Sequence, residues 1–103
     1  MVERIKNISQ TIGTSTAVVS EEQHTPNIRS VILITNTSTG GQKITVSAGD
    51  EAVSGKGIVL SPGGFYQDSK ESGYTPTQRR ITAVSDLIDG EVAIHERIDS
   101  EGI

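Results

Sequence analysis

"IRSVILITNTSTGGQKITVSAG", residues 28–49, carries the decision about fold class. Its first eight residues, Ile28–Thr35, form a β-branched apolar run too continuous for simple alternation, which reads as a strand covered on both faces. Asn36–Gly41 is a turn by composition, because Asn and Gly tolerate positive φ and the hydroxyls bond nearby backbone. Gln42–Gly49 then alternates, with Ile44, Val46 and Ala48 on one side and Lys43, Thr45 and Ser47 on the other. Together the two runs predict a β-hairpin.

The same grammar continues downstream. "GKGIVLSPGGFYQDS", residues 55–69, gives a short strand, a Pro62-Gly63-Gly64 corner and a second strand opened by Phe65. Residues 70–78 are a polar loop, and "RRITAVS" (79–85) is a strand with Ile81 and Ala83 on one face and Val84 on the other. Asp89-Gly90 predicts a hairpin turn into "EVAIHERI" (91–98), where Val92, Ile94 and Ile98 repeat in period two. Short strands at spacings near ten residues predict an all-β fold, a small antiparallel sandwich or barrel of jelly-roll or Ig-like type. Upstream, residues 1–27 lack a sustained strand pattern. Val2, Ile5, Ile8 and Ile12 recur at three or four, which fits one helical turn or an extended arm. "TAVVS" (16–20) is a first short strand, and Pro26 punctuates a loop before residue 28. The expected division is an arm with its short strand over 1–27 and a sandwich over 28–103.

At 103 residues the chain is one domain, with 33% hydrophobic residues and only Phe65, Tyr66 and Tyr74 as aromatics. Its core must therefore come from Ile, Val, Leu and Ala. The absence of cysteine removes disulfides and thiol chemistry, so stability has to come from packing or association, and a homo-oligomer is expected, with a trimer favoured. A formal charge of −4 argues against a nucleic-acid partner, and no apolar run approaches a membrane span.

No motif compels catalysis. Gly49–Gly57 imitates a phosphate loop but has the wrong glycine spacing and lacks the hydroxyl and the following helix that such loops need. His24 and His95 have no second ligand at metal spacing, and Asp86, Asp89 and Glu91 lack the alternation of a calcium loop, so neither metal nor cofactor is expected. Glu96 falls on the apolar register of the last strand. There it needs a partner such as Arg29, Arg79 or Arg80, in a salt bridge expected at the rim.

The order of these features resembles that of small tailed-phage virion structural proteins: a strand ending in Asn-Thr, a "GIVLSPGG" corner before an aromatic strand, "ITAVS", and a last strand carrying a Glu. Ile28, Asn36, Gly57, Ile58, Leu60, Pro62, Gly63, Gly64, Ile81, Ala83, Ser85 and Glu96 carry the likeness, which spans about residues 28–98. It implies a non-enzymatic β-sandwich, assembled in a host cytoplasm and resident on a virion, that decorates or stabilises a capsid. Its partners would be capsid or other virion proteins, bound through a sheet face and the N-terminal arm. The contact residues expected are Val2, Ile5 and Ile8 of the arm, with Pro62, Phe65 and Tyr66 at the corner and Tyr74 across the loop. The alternative is a small carbohydrate-binding sandwich used in host contact, with Tyr66 and Tyr74 as its platform.

Overall fold

Ile28–Thr35 lies in a strand that is paired on both of its sides. A computed structural model describes residues 2–69 and 76–100, with the Val2 side chain left out. Among the described residues eight strands follow in order: β1 (Val2–Ile12), β2 (Ala17–Ser20), β3 (Asn27–Asn36), β4 (Ile44–Ala48), β5 (Ile58–Leu60), β6 (Phe65–Ser69), β7 (Ile81–Ser85) and β8 (Gly90–Ser100). They form two four-stranded sheets with spatial orders β1-β8-β3-β6 and β2-β7-β4-β5. Every pairing is antiparallel. The architecture is an open β-sandwich of jelly-roll order rather than a closed barrel.

That order corrects the hairpins expected from sequence. Only β4 and β5 are consecutive strands paired with each other; each other connection passes from one sheet to the other. Asn36–Gly41 and Asp89-Gly90 do reverse the chain, and Asp89 adopts φ 62°. A turn signal specifies reversal, however, and not the sheet that receives the next strand. Here the β3 end is held by long-range bonds. The Asn36 side chain donates to the carbonyls of Gln42 and Leu60, both at 2.8 Å, and Thr37 N–H donates to Glu91 O at 3.0 Å.

Residues 2–12 are a strand, where sequence suggested a helical turn or an arm. β1 pairs with β8 along its whole length, from Val2 opposite Ser100 to Ile12 opposite Gly90. The segment 2–27 thus supplies a strand to each sheet. The spacing of its isoleucines misled because only Ile12 is fully buried; Ile5 and Ile8 are 56% and 41% exposed.

The core lies between the sheets and is aliphatic: Ile12, Ile32, Ile34, Ile44, Ile81 and Ile94 are at most 2% exposed. Each such side chain contributes about 1.5–3 kcal/mol on burial. Tyr66 packs at its margin. In β3 the inward Ile32, Ile34 and Asn36 are buried, whereas Val31, Leu33 and Thr35 on the outer face are half-buried, so the expected two-sided cover is incomplete. The strand buried at every position is β7. Its outer side is covered by the segment that imitated a phosphate loop: Thr82 Oγ1 donates to Asp50 O at 2.8 Å and accepts Ala52 N–H at 2.9 Å.

Candidate functional site

The residues singled out from sequence separate into two groups at opposite edges of one sheet. Ile5 and Ile8 lie on β1, the first edge; Val2 opens that strand. Phe65 and Tyr66 open β6, the other edge, after the exposed corner at Pro62. Tyr74 lies outside the described residues. The arrangement does not gather these side chains into one pocket; it places an apolar group at each lateral boundary of the sheet.

Pairing registers fix which face each residue takes, because directly paired residues share a face. One row reads Ser9, Ala93, Thr35, Phe65; the next reads Ile8, Ile94, Ile34, Tyr66. Ile94 and Ile34 are core residues, so Ile8 and Tyr66 face inward and Ser9 and Phe65 outward. Phe65 is 60% exposed. Phe65 and Tyr66 therefore offer no shared aromatic platform, as strand alternation requires. Burial raises the Tyr66 phenol above its ordinary 10.0, with a smaller push from the Asp68 carboxylate and a smaller opposing pull from Arg29.

Both lateral boundaries open into clefts. Ile58, Phe65, Tyr66, Gln67, Asp68 and Ser69 line one of about 530 Å³ beside β6. Arg4, Ile5, Lys6, Glu21, Gln23 and Glu96 are among the residues lining another of about 310 Å³ beside β1. Lys6 Nζ stands 3.7 Å from Glu96 Oε1. His95, on the outer face as its register predicts, pairs its Nδ1 with Asn7 Oδ1 at 2.6 Å. Among the described residues no group of three or more His, Cys, Asp or Glu side chains is placed to hold a metal ion.

Sequence reasoning placed Glu96 correctly on the apolar register but expected its salt bridge at the rim. The pair is interior: Arg29 is 0% and Glu96 2% exposed. A β-bulge between Arg29 and Val31 turns Arg29 onto the core side opposite Ile98, which is how a bulge re-aims a side chain. Its Nε donates to Glu96 Oε2 at 2.9 Å, and its Nη2 to Ser20 Oγ and Glu21 O, both at 2.7 Å. Nη1 donates to the carbonyls of Thr77 and Arg79, and Ser20 Oγ donates to Glu96 Oε2. Gln78 clamps the Arg29 backbone, accepting its N–H at 2.6 Å and donating to its carbonyl at 3.0 Å. The only sequence signal for this cluster was a charge inside each of two apolar strands.

No protein-family model and no curated protein matches the chain. Among solved structures it is similar to one described with the words "Bacillus endospore appendages form a novel family of disulfide-linked pili". The match has a TM-score of 0.56 and 16% identity, covering 94% of this chain and 83% of that one. At that identity the likeness is one of fold. The neighbour belongs to a bacterial appendage, whereas the resemblance read from sequence pointed to a phage virion.

Proposed function

We propose that the chain is a non-enzymatic structural subunit that assembles with further copies of itself, joined at the edges of its sheets. The supporting observation is β1, an eleven-residue edge strand paired with β8 on one side and with no strand on the other among the described residues. Proteins that stay monomeric blunt such edges with prolines, bulges or brevity. β1 is long, contains no proline and pairs without a register shift; its only guards are Glu3, Arg4 and Lys6. The fold-level likeness to a pilus protein favours the same class of role. That neighbour's pili are disulfide-linked, whereas these 103 residues contain no cysteine, so their own contacts would be noncovalent.

A narrower reading, capsid decoration on a virion, is favoured by the order of motifs across residues 28–98. It would turn a sheet face and the N-terminal segment, β1 included, toward a different partner. Light scattering on a sizing column over a hundredfold concentration range, followed by negative-stain microscopy, tests the proposal. Mass that climbs with concentration, and extended particles, are expected. A monomer at every concentration overturns it, and a closed trimer restricts assembly to a ring and revives the particle-bound reading.

A further inference from the structure

We infer that β1 of one copy pairs antiparallel with β6 of the next, extending the sheet β1-β8-β3-β6 without stagger. This inference rests on the self-assembly reading above and names its contact.

Three observations converge. The first is direction. β1 is antiparallel to β8, β8 to β3 and β3 to β6, so the two edge strands run in opposite senses. A copy displaced sideways by four strand spacings, about 19 Å, therefore meets β6 with its β1 in antiparallel orientation. Such a contact is heterologous and propagates.

The second is register and charge. One row across the sheet reads Lys6, Glu96, Ile32, Asp68. Continuing it sets Lys6 beside the next copy's Asp68, with Arg4 diagonal to it on the same face. Opposite charges at paired positions stabilise a sheet, and diagonal neighbours lie within reach of long side chains. Asp68 makes no ion pair among the described residues, so its carboxylate is available for this role.

The third is apolar fit. The row ending in Tyr66 continues onto Ile8, which points to the core face yet is 41% exposed because nothing in its own copy covers it fully. The 530 Å³ cleft beside β6, with Ile58 and Tyr66 in its wall, lies at the edge that Ile8 would meet.

Paired cysteines test the register, since the chain has none of its own. Ser9→Cys with Phe65→Cys places the two thiols in one row. Within a copy they are three strand spacings, about 14 Å, apart, too far for a disulfide. Under mild oxidation the pair should give a ladder of cross-linked multimers on a denaturing gel. Asn7→Cys with Phe65→Cys, a two-residue slip, should give at least tenfold less. Asp68→Lys should lower wild-type assembly at least tenfold, and adding Arg4→Glu should restore part of it. Equal ladders from both cysteine pairs, or a stronger one from the slipped pair, overturn the register. No ladder from either, in a protein whose wild type assembles by light scattering, overturns the β1–β6 join and leaves self-assembly standing. A wild type that stays monomeric overturns both.

Discussion

Glu96 and Arg29 meet across the β8–β3 pairing as a buried ion pair, Nε to Oε2 2.9 Å, at a place where strand alternation alone would not bring them together. The bulge in β3 is what makes the contact. Through Arg29 the same cluster reaches Ser20 and Glu21 at the end of β2 and the carbonyls of Thr77 and Arg79 ahead of β7. It ties both sheets together at one end of the sandwich.

Removing one partner should therefore cost more than removing both. Arg29→Ala leaves the buried Glu96 carboxylate with only Ser20 Oγ and the more distant Lys6 Nζ, and strands several carbonyls, for which about 3–5 kcal/mol is expected. Replacing the pair with apolar groups, Arg29→Met with Glu96→Leu, should recover a substantial part of that loss. Urea unfolding followed by circular dichroism measures both. A double variant no more stable than Arg29→Ala would show that the backbone bonds of Arg29, rather than its pairing with Glu96, dominate.

Asn36 performs the corresponding task at the other end. Besides its two side-chain donations, its Oδ1 accepts Ser38 N–H at 3.0 Å, and its backbone exchanges bonds with Gly63 and Gly64 at 2.8 and 2.9 Å. Asn36→Leu keeps the number and branching of the side-chain heavy atoms and strands the carbonyls of Gln42 and Leu60. A loss of about 1–3 kcal/mol per stranded group is expected. Hydrogen exchange should show faster amides at Gly63 and at residue 36, the two that donate across this contact; unchanged protection there would detach the corner from Asn36.

How far the sequence was legible follows from the range of each signal. β-branched runs and period-two alternation are local, and they located β3, β4, β7 and β8 and the all-β class. Sheet membership is not local: Asn36–Gly41 looks like a hairpin loop whether β4 returns to β3 or crosses to the opposite sheet. β1 was hidden because Ile5 faces outward while Ile8 sits on a half-open inner face, so both are exposed and the apolar residues do not alternate. The contact residues read at the corner and at the N-terminal end do occupy sheet edges. That Lys6 and Asp68 fall in one row, 62 positions apart in the numbering and three strand spacings apart in space, follows only from the registers.

Gly90 opens β8 where a side chain has no room. A Cβ there would lie 2.7 Å from Ile12 O, 2.8 Å from Ser85 Oγ and 2.9 Å from Ile44 Cδ1. The carbonyl and the core isoleucine cannot both yield cheaply. Gly90→Ala should destabilise by about 1–3 kcal/mol, as overpacking does. A thermal midpoint equal to wild type would mean that β1 can move away from β8 at that end.

Tyr66 gives the fold an alkaline limit. Its folded phenol titrates above 10.0 because burial disfavours the phenolate, so the unfolded chain releases this proton first as pH rises. The stabilisation is fully present below pH 10 and is lost as pH climbs from there through the raised folded value. Tyr66→Phe should flatten that part of the stability profile. Phenolate absorbance, compared between wild type and variant, isolates this tyrosine from the other one. A phenol that titrates at its ordinary value in the folded protein would contradict its position against the core.

Ile5 and Phe65 separate folding from association most cleanly. Both are more than half exposed, and both face outward from the same sheet at opposite edges. Exposed substitutions away from caps and special backbone usually shift stability by less than about 0.5 kcal/mol, so Ile5→Ser with Phe65→Ser should unfold at the wild-type urea concentration. The same variant removes apolar surface from both proposed mating edges, and it should assemble only at higher concentration than wild type. If it unfolds early, the two side chains support the monomer. If it unfolds and assembles as wild type does, neither edge contact depends on them, and the backbone ladder and the Lys6–Asp68 row must carry the association.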